Sequence, residues 1–139
     1  MEYLKFIPAF SAGLLTFMFG EWSAILTILV ALVFIDYITG MTAGALDGGL
    51  KSKTGWIGIA RKVFIFAMVA VAHLIDLLLI ESGFESTELV MTMVIVFYAV
   101  NEILSITENA GRIGLPVPEQ IKNAIEILKG YENKNKDVK

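Results

Sequence analysis

A chain of 139 residues is about one domain long, but its composition excludes an ordinary soluble domain. Hydrophobic residues make up 56 % and charged residues only 18 %, where about 45–50 % apolar, glycine included, and roughly a quarter charged are usual. A core this small cannot bury that much apolar surface, so lipid is the expected solvent.

The absence of cysteine rules out a disulfide framework, a thiolate metal site and a cysteine nucleophile. A single histidine, His73, leaves little scope for a histidine-based metal or catalytic cluster. No cofactor is expected and none of the patterns of an enzyme is present: no phosphate loop, no metal motif, no nucleophile with its base. The start, Met1 to Lys5 and then an apolar run, lacks a basic leader region and a small-residue cleavage site, so no cleavage is predicted.

The predicted fold is all-α, an integral membrane protein of three to four transmembrane helices with a short amphipathic helix at the C-terminal end. A transmembrane domain occupies residues 1–112, with spans at about 4–20, 22–46, 63–80 and 89–107. The first candidate, Leu4 to Gly20, is short, has Pro8 near its start and places Ala12, Thr16 and Gly20 at helical spacing. It is expected to cross; an anchor lying in the interface is the alternative. Trp22–Leu46 is the longest apolar stretch and holds one charge, Asp36. Val63–Ile80 is interrupted by His73 and Asp76, and Leu89–Leu104 stays apolar until Asn101 and Glu102.

The net charge of −3 hides a segregation that sets orientation. Between residues 47 and 62, Lys51, Lys53, Arg61 and Lys62 stand against Asp47 alone; between 81 and 88 there are Glu81, Glu85 and Glu88 and no base. Short cytoplasmic loops collect Lys and Arg. The 47–62 loop is therefore predicted to face the cytoplasm, as are Arg112 and the C-terminus. With four spans the N-terminus is cytoplasmic too. Anionic lipid accounts for these boundary bases better than nucleic acid does. Residues 113–139 form the cytoplasmic end: after Gly114, Pro116 and Pro118, a helix puts Ile121, Ile125 and Leu128 on one face, and Tyr131–Lys139 reads as a disordered polar tail.

Ionisable residues inside spans are costly and mark functional candidates. Asp36 and Thr39 form one stripe, with Gly40, Gly44 and Gly48 on an adjacent face in the spacing that lets helix backbones approach closely. Asn101, Ser105, Glu108 and Arg112 form a second at i, i+4, i+7 and i+11, widened by Glu102 and Asn109. Asp36 and Asn101 fall in the same half of the bilayer, within reach of each other or of Arg61 and Lys62. Two readings stand side by side: a buried network that fixes the bundle, or the lining of a water-filled path in an oligomer. His73 and Asp76 sit at i, i+3, and a mutually satisfied pair, or a pair facing a polar lumen, is expected over a proton relay or metal site.

These motifs together resemble the toxin-secretion/phage-lysis holin family. The resemblance rests on Asp36-Tyr37-Ile38-Thr39-Gly40, on Ser52-Lys53-Thr54-Gly55 followed by Gly58-Ile59-Ala60-Arg61-Lys62, and on Asn101 to Arg112 with Gly114 and Pro116-Val117-Pro118. It covers roughly residues 22–130 and matches least well at the N-terminal end. It implies a phage or phage-derived protein of the bacterial cytoplasmic membrane that forms homo-oligomers, permeabilises the bilayer and lets an endolysin or toxin out. A non-lytic membrane scaffold or a small channel or transporter subunit is the competing function. A transporter would more often carry an internal repeat around a midplane site.

Overall fold

A computed structural model describes residues 3–85 and 88–136, the side chains at 131, 132, 135 and 136 excepted. Five α-helices follow in order: α1 Tyr3–Phe19, α2 Ala24–Leu46, α3 Ser52–Glu81, α4 Leu89–Ile113 and α5 Glu119–Lys136. No strand occurs among the described residues. α2, α3 and α4 are long and apolar enough to cross a membrane, while α1 is a shorter apolar helix. In the most apolar stretch of α2, α3 and α4 only 22 %, 33 % and 22 % of residues are buried inside the protein. The remainder of that apolar surface needs lipid, which makes the chain a multi-pass membrane protein.

α4 is the central element. It packs along α2 and α3, whereas α2 and α3 meet each other only sparsely. Their shared core, Leu26, Leu29, Val33, Val69, Ala72, Met91 and Ile95, is small and lies toward one end of the bundle. That end carries the 82–88 connection with Glu85 and Glu88 and is called the acidic end here. The other carries Lys51, Lys53 and the approach to α5, and is the basic end.

Local signals account for the helix ends. Ser23 caps α2, its hydroxyl accepting from the Leu26 amide at 3.3 Å. α4 stops on Gly114 at φ +86, a left-handed conformation that glycine adopts freely, with two prolines beyond it. Pro8 lies inside α1, which starts one residue before the expected Leu4.

Three stretches differ from the sequence reading. α3 starts at Ser52, so most of the expected basic loop is helix and only residues 47–51 connect α2 to α3. Thirty residues rise about 45 Å against roughly 30 Å of hydrocarbon, and the surplus projects from the basic end. A charged helix outside the bilayer has a loop-like hydropathy, which is why the span was read from Val63. Gly48 lies past the end of α2 at φ +123, off the Gly40–Gly44 face. α5 runs to Lys136, so Tyr131–Lys136 is helical, not the disordered tail expected; residues 137–139 lie outside those described. α5 folds back against α4 and buries Ile125.

α1 has no buried residue and leans on α3. Its last turn borders a cavity with Leu26 and Val30 of α2 and Phe66 of α3. The chain then turns at Gly20, φ +69, against the His73 ring: a Cβ on Gly20 would lie 2.8 Å from His73 Cε1. Gly20→Ala therefore combines a steric clash with a left-handed backbone that alone costs about 1–2 kcal/mol. The expected result is a lower Tm in detergent and faster proteolysis at the α1–α2 junction; an unchanged Tm would show that α1 does not pack there.

Candidate functional site: an ion-paired network inside the bundle

Polar residues of three helices meet around Lys62. Its ammonium donates to Asp36 Oδ2 on α2 and to Glu102 Oε2 on α4. Asn109, two turns beyond Glu102, donates to Asp36 Oδ1 and to Thr39 Oγ1, both at 3.0 Å. Thr39 itself donates to the Asp36 carbonyl at 3.1 Å. Asp36, Glu102 and Asn109 are 7 %, 5 % and 6 % exposed, and the Lys62 side chain 19 %. Two carboxylates and one ammonium are thus held together with a carboxamide, each group bonded to at least one other, as a buried charge requires.

The depth of the network follows from helix geometry. Asp76 on α3 bonds to the start of α4, which fixes a common level. From there Lys62 lies about 21 Å and Glu102 about 17–18 Å toward the basic end, at 1.5 Å per residue. With that level, beside the exposed Glu88 that precedes α4, as the acidic edge of a hydrocarbon layer of about 30 Å, the network falls inside the layer and in its basic half. A groove of about 410 Å³ between α2 and α3 runs from the basic end down to it, walled by Tyr37, Gly40, Gly44, Gly55 and Gly58, with Asp36 and Lys62 at its floor. The glycines serve this protomer: Gly40 lies beneath the Asn109 carboxamide, Gly44 beside Leu50 and Gly58 beside the Tyr37 ring.

The other sequence candidates separate. Arg112 reaches back to Asp47, Nη2 at 2.7 Å and Nε at 3.0 Å from one oxygen, tying the end of α4 to the end of α2. Both side chains are half exposed, where such a pair contributes at most about 1 kcal/mol. Arg61, Lys51 and Lys53 are exposed on the protruding end of α3 and its approach. Asn101 and Glu108 are exposed on the outer side of α4, and Ser105 is half buried. The expected stripe along α4 is therefore two faces. Glu102 and Asn109 point in, while Asn101 and Glu108 point out.

His73 and Asp76, both buried, also take different partners. Asp76 Oδ1 accepts from the Val90 amide at 3.1 Å and Oδ2 from Met91 at 2.8 Å. It supplies in trans the cap that Glu88, left-handed at φ 55 and without a side-chain cap bond, does not give α4. His73 packs against Gly20, and its Nδ1 has no hydrogen-bond partner. The sequence reading gave Asn109 only a secondary place. Its seven-residue spacing from Glu102, two turns along one helix face, is the signal that could have marked it.

Three apolar crossing helices joined by an ion-paired network within the membrane, with further helices at each end, define a small multi-pass membrane protein. Comparison with known proteins places it further. The chain belongs to the bacteriophage holin family, whose profile matches residues 13–130. It is 34 % identical over 113 residues to a probable holin of Bacillus phage phi105, covering 81 % of this chain and 78 % of the relative. It is 54 % identical over 131 residues to an uncharacterised protein of Halalkalibacterium halodurans, covering 94 % and 97 %. It is also 42 % identical over 125 residues to an uncharacterised protein of Listeria monocytogenes, covering 90 % and 86 %. No solved structure matches the chain.

Proposed function

We propose that the protein acts as a holin: copies accumulate in a bacterial cytoplasmic membrane, self-associate and open a hydrated lesion through which an endolysin or a toxin leaves. Family membership supports this reading. The observation that carries it is the Asp36–Lys62–Glu102–Asn109 network, which lets one protomer hold four polar groups within the hydrocarbon without exposing them to lipid. In that state the protein accumulates without leakage. Past a threshold density, pairing between copies replaces pairing within them, and the same groups tolerate water in the lesion.

The basic end faces the cytoplasm, because Lys51, Lys53 and Arg61 gather there and Glu81, Glu85 and Glu88 at the opposite end. α1 turns back at Gly20 and runs beside α3, which supports a fourth crossing and a cytoplasmic N-terminus.

Controlled bacterial expression with and without a cytoplasmic endolysin tests the function. The expected result is an abrupt loss of membrane potential in both cultures and lysis only where the endolysin is present. Undisturbed potential and growth, with the protein abundant in the membrane, would contradict it. Asp36→Ala and Glu102→Ala are expected to shift the onset of leakage. Unchanged leakage and timing in both would remove the role given to the network.

A further inference from the structure

α4 carries polar groups on two faces, and only the inward one is used by the network. Outward, Leu89, Met93, Phe97 and Asn101 form a ridge at four-residue spacing, with Ser105 continuing it and Glu108 at its basic end; all but the half-buried Ser105 are exposed. Asn101 lies about 16 Å from the Asp76–Val90 level by helix rise, near the middle of a hydrocarbon layer of about 30 Å. Among the described residues its carboxamide has no hydrogen-bond partner, and an amide left so in lipid is strongly disfavoured. Outward hydroxyls on α1 and α2 behave differently. Ser11, Thr16, Thr27 and Thr42 each donate to a carbonyl of their own helix or its cap.

We propose that two copies of this chain pack face to face along this outward ridge of α4, with their Asn101 carboxamides hydrogen-bonded to each other near the bilayer centre. The proposal rests on the self-association in the functional reading and names the surface that mediates it. Copies inserted the same way up are related by an axis along the membrane normal, so equal depths meet and Asn101 faces Asn101. A carboxamide carries both donors and an acceptor and is its own complement. Phe97 and Met93 pack on the acidic side of the pair, and Ser105 on the other is small enough for the helices to approach. Glu108, about 10 Å nearer the basic end, sits where water reaches and screens it. The outward faces of α2 and α3 at this depth present Ile35 and Phe64, which offer Asn101 nothing to bond.

The cysteine-free chain permits a direct test by oxidative cross-linking in native membranes. Phe97→Cys is compared with Ile35→Cys on α2 and Phe64→Cys on α3. The expected result is disulfide dimers at 97 and not at 35 or 64. Asn101→Leu is expected to lower the dimer yield at 97 by about three- to thirty-fold, the range of interhelical hydrogen bonds in lipid, while Asn101→Gln keeps most of it. All these side chains face outward, so the protomer fold is retained. Dimers at 35 or 64 in place of 97 would overturn the proposal and leave self-association standing. An unchanged yield with Asn101→Leu would overturn the role of the carboxamide. No dimers at any position, with no higher assemblies on amine-directed cross-linking, would overturn both the proposal and the assembly reading.

Discussion

Lys62→Met is expected to destabilise the folded protomer by about 3–5 kcal/mol, the usual consequence of stripping one partner from a buried ion pair. Among the described residues, Lys62 is the only cation bonded to Asp36 and Glu102. Without it two carboxylates, each under a tenth exposed, share a low-dielectric site with a neutral carboxamide. Because α2 and α3 touch only sparsely, the ammonium is also a principal tie between them. The measurement is thermal or denaturant unfolding in detergent micelles. Replacing all three residues by apolar ones of similar size, Asp36→Leu with Lys62→Met and Glu102→Leu, is expected to recover most of the loss, since a well-packed apolar substitute often equals a buried ion network. Such a triple variant separates stability from the proposed function: it should fold and lack the groups proposed to line a lesion. A loss below about 1 kcal/mol on Lys62→Met would instead mean a solvated, surface-type pair.

Asp76→Ala has the second large expected effect and acts at the opposite end of the bundle. Asp76 is 1 % exposed and its two oxygens serve the Val90 and Met91 amides. Each buried donor left unmade costs about 1–3 kcal/mol, so a loss of about 2–4 kcal/mol is expected, concentrated in the first turn of α4. Amide hydrogen exchange should quicken at Val90 and Met91 well before the rest of the helix. Asp76→Asn retains one acceptor oxygen and should lie between the two. Equal protection in wild type and Asp76→Ala would show that the turn is held by packing alone.

The parts of this fold that were legible in the sequence are those set by hydropathy. α2, α3 and α4 cross because nothing but lipid can cover their apolar surface, and length and composition report that directly. The first eleven residues of α3 were not legible, because a charged helix beyond the bilayer has the composition of a loop. Gly48 was misplaced for a related reason: a four-residue spacing continues on paper past a helix that ends at Leu46.

Within the candidate site, the residue types were readable, and the choice among their possible partners was not. Asn101 and Glu102 differ by one position, about 100° on a helix, and only the placement of α2 and α3 tells which turns inward. Lys62 counts in the sequence both as a boundary base and, with Arg61, as a possible partner of Asp36; that Lys62 and not Arg61 reaches inward depends on the helix that continues through both. Asp76 was paired with His73 by spacing along α3, yet its carboxylate goes to α4, whose start is set by tertiary packing. Local periodicity identifies faces, and the neighbouring helices assign them.

Dye release from vesicles holding purified protein at graded protein-to-lipid ratios tests most directly whether this protein is an assembling, membrane-permeabilising one. The expected result is tight vesicles at low density and a steep onset of release above a threshold, displaced to a different density by Asp36→Ala and Glu102→Ala. Vesicles that stay sealed at every density, or release proportional to protein from the lowest ratio upward and indifferent to both variants, would contradict it.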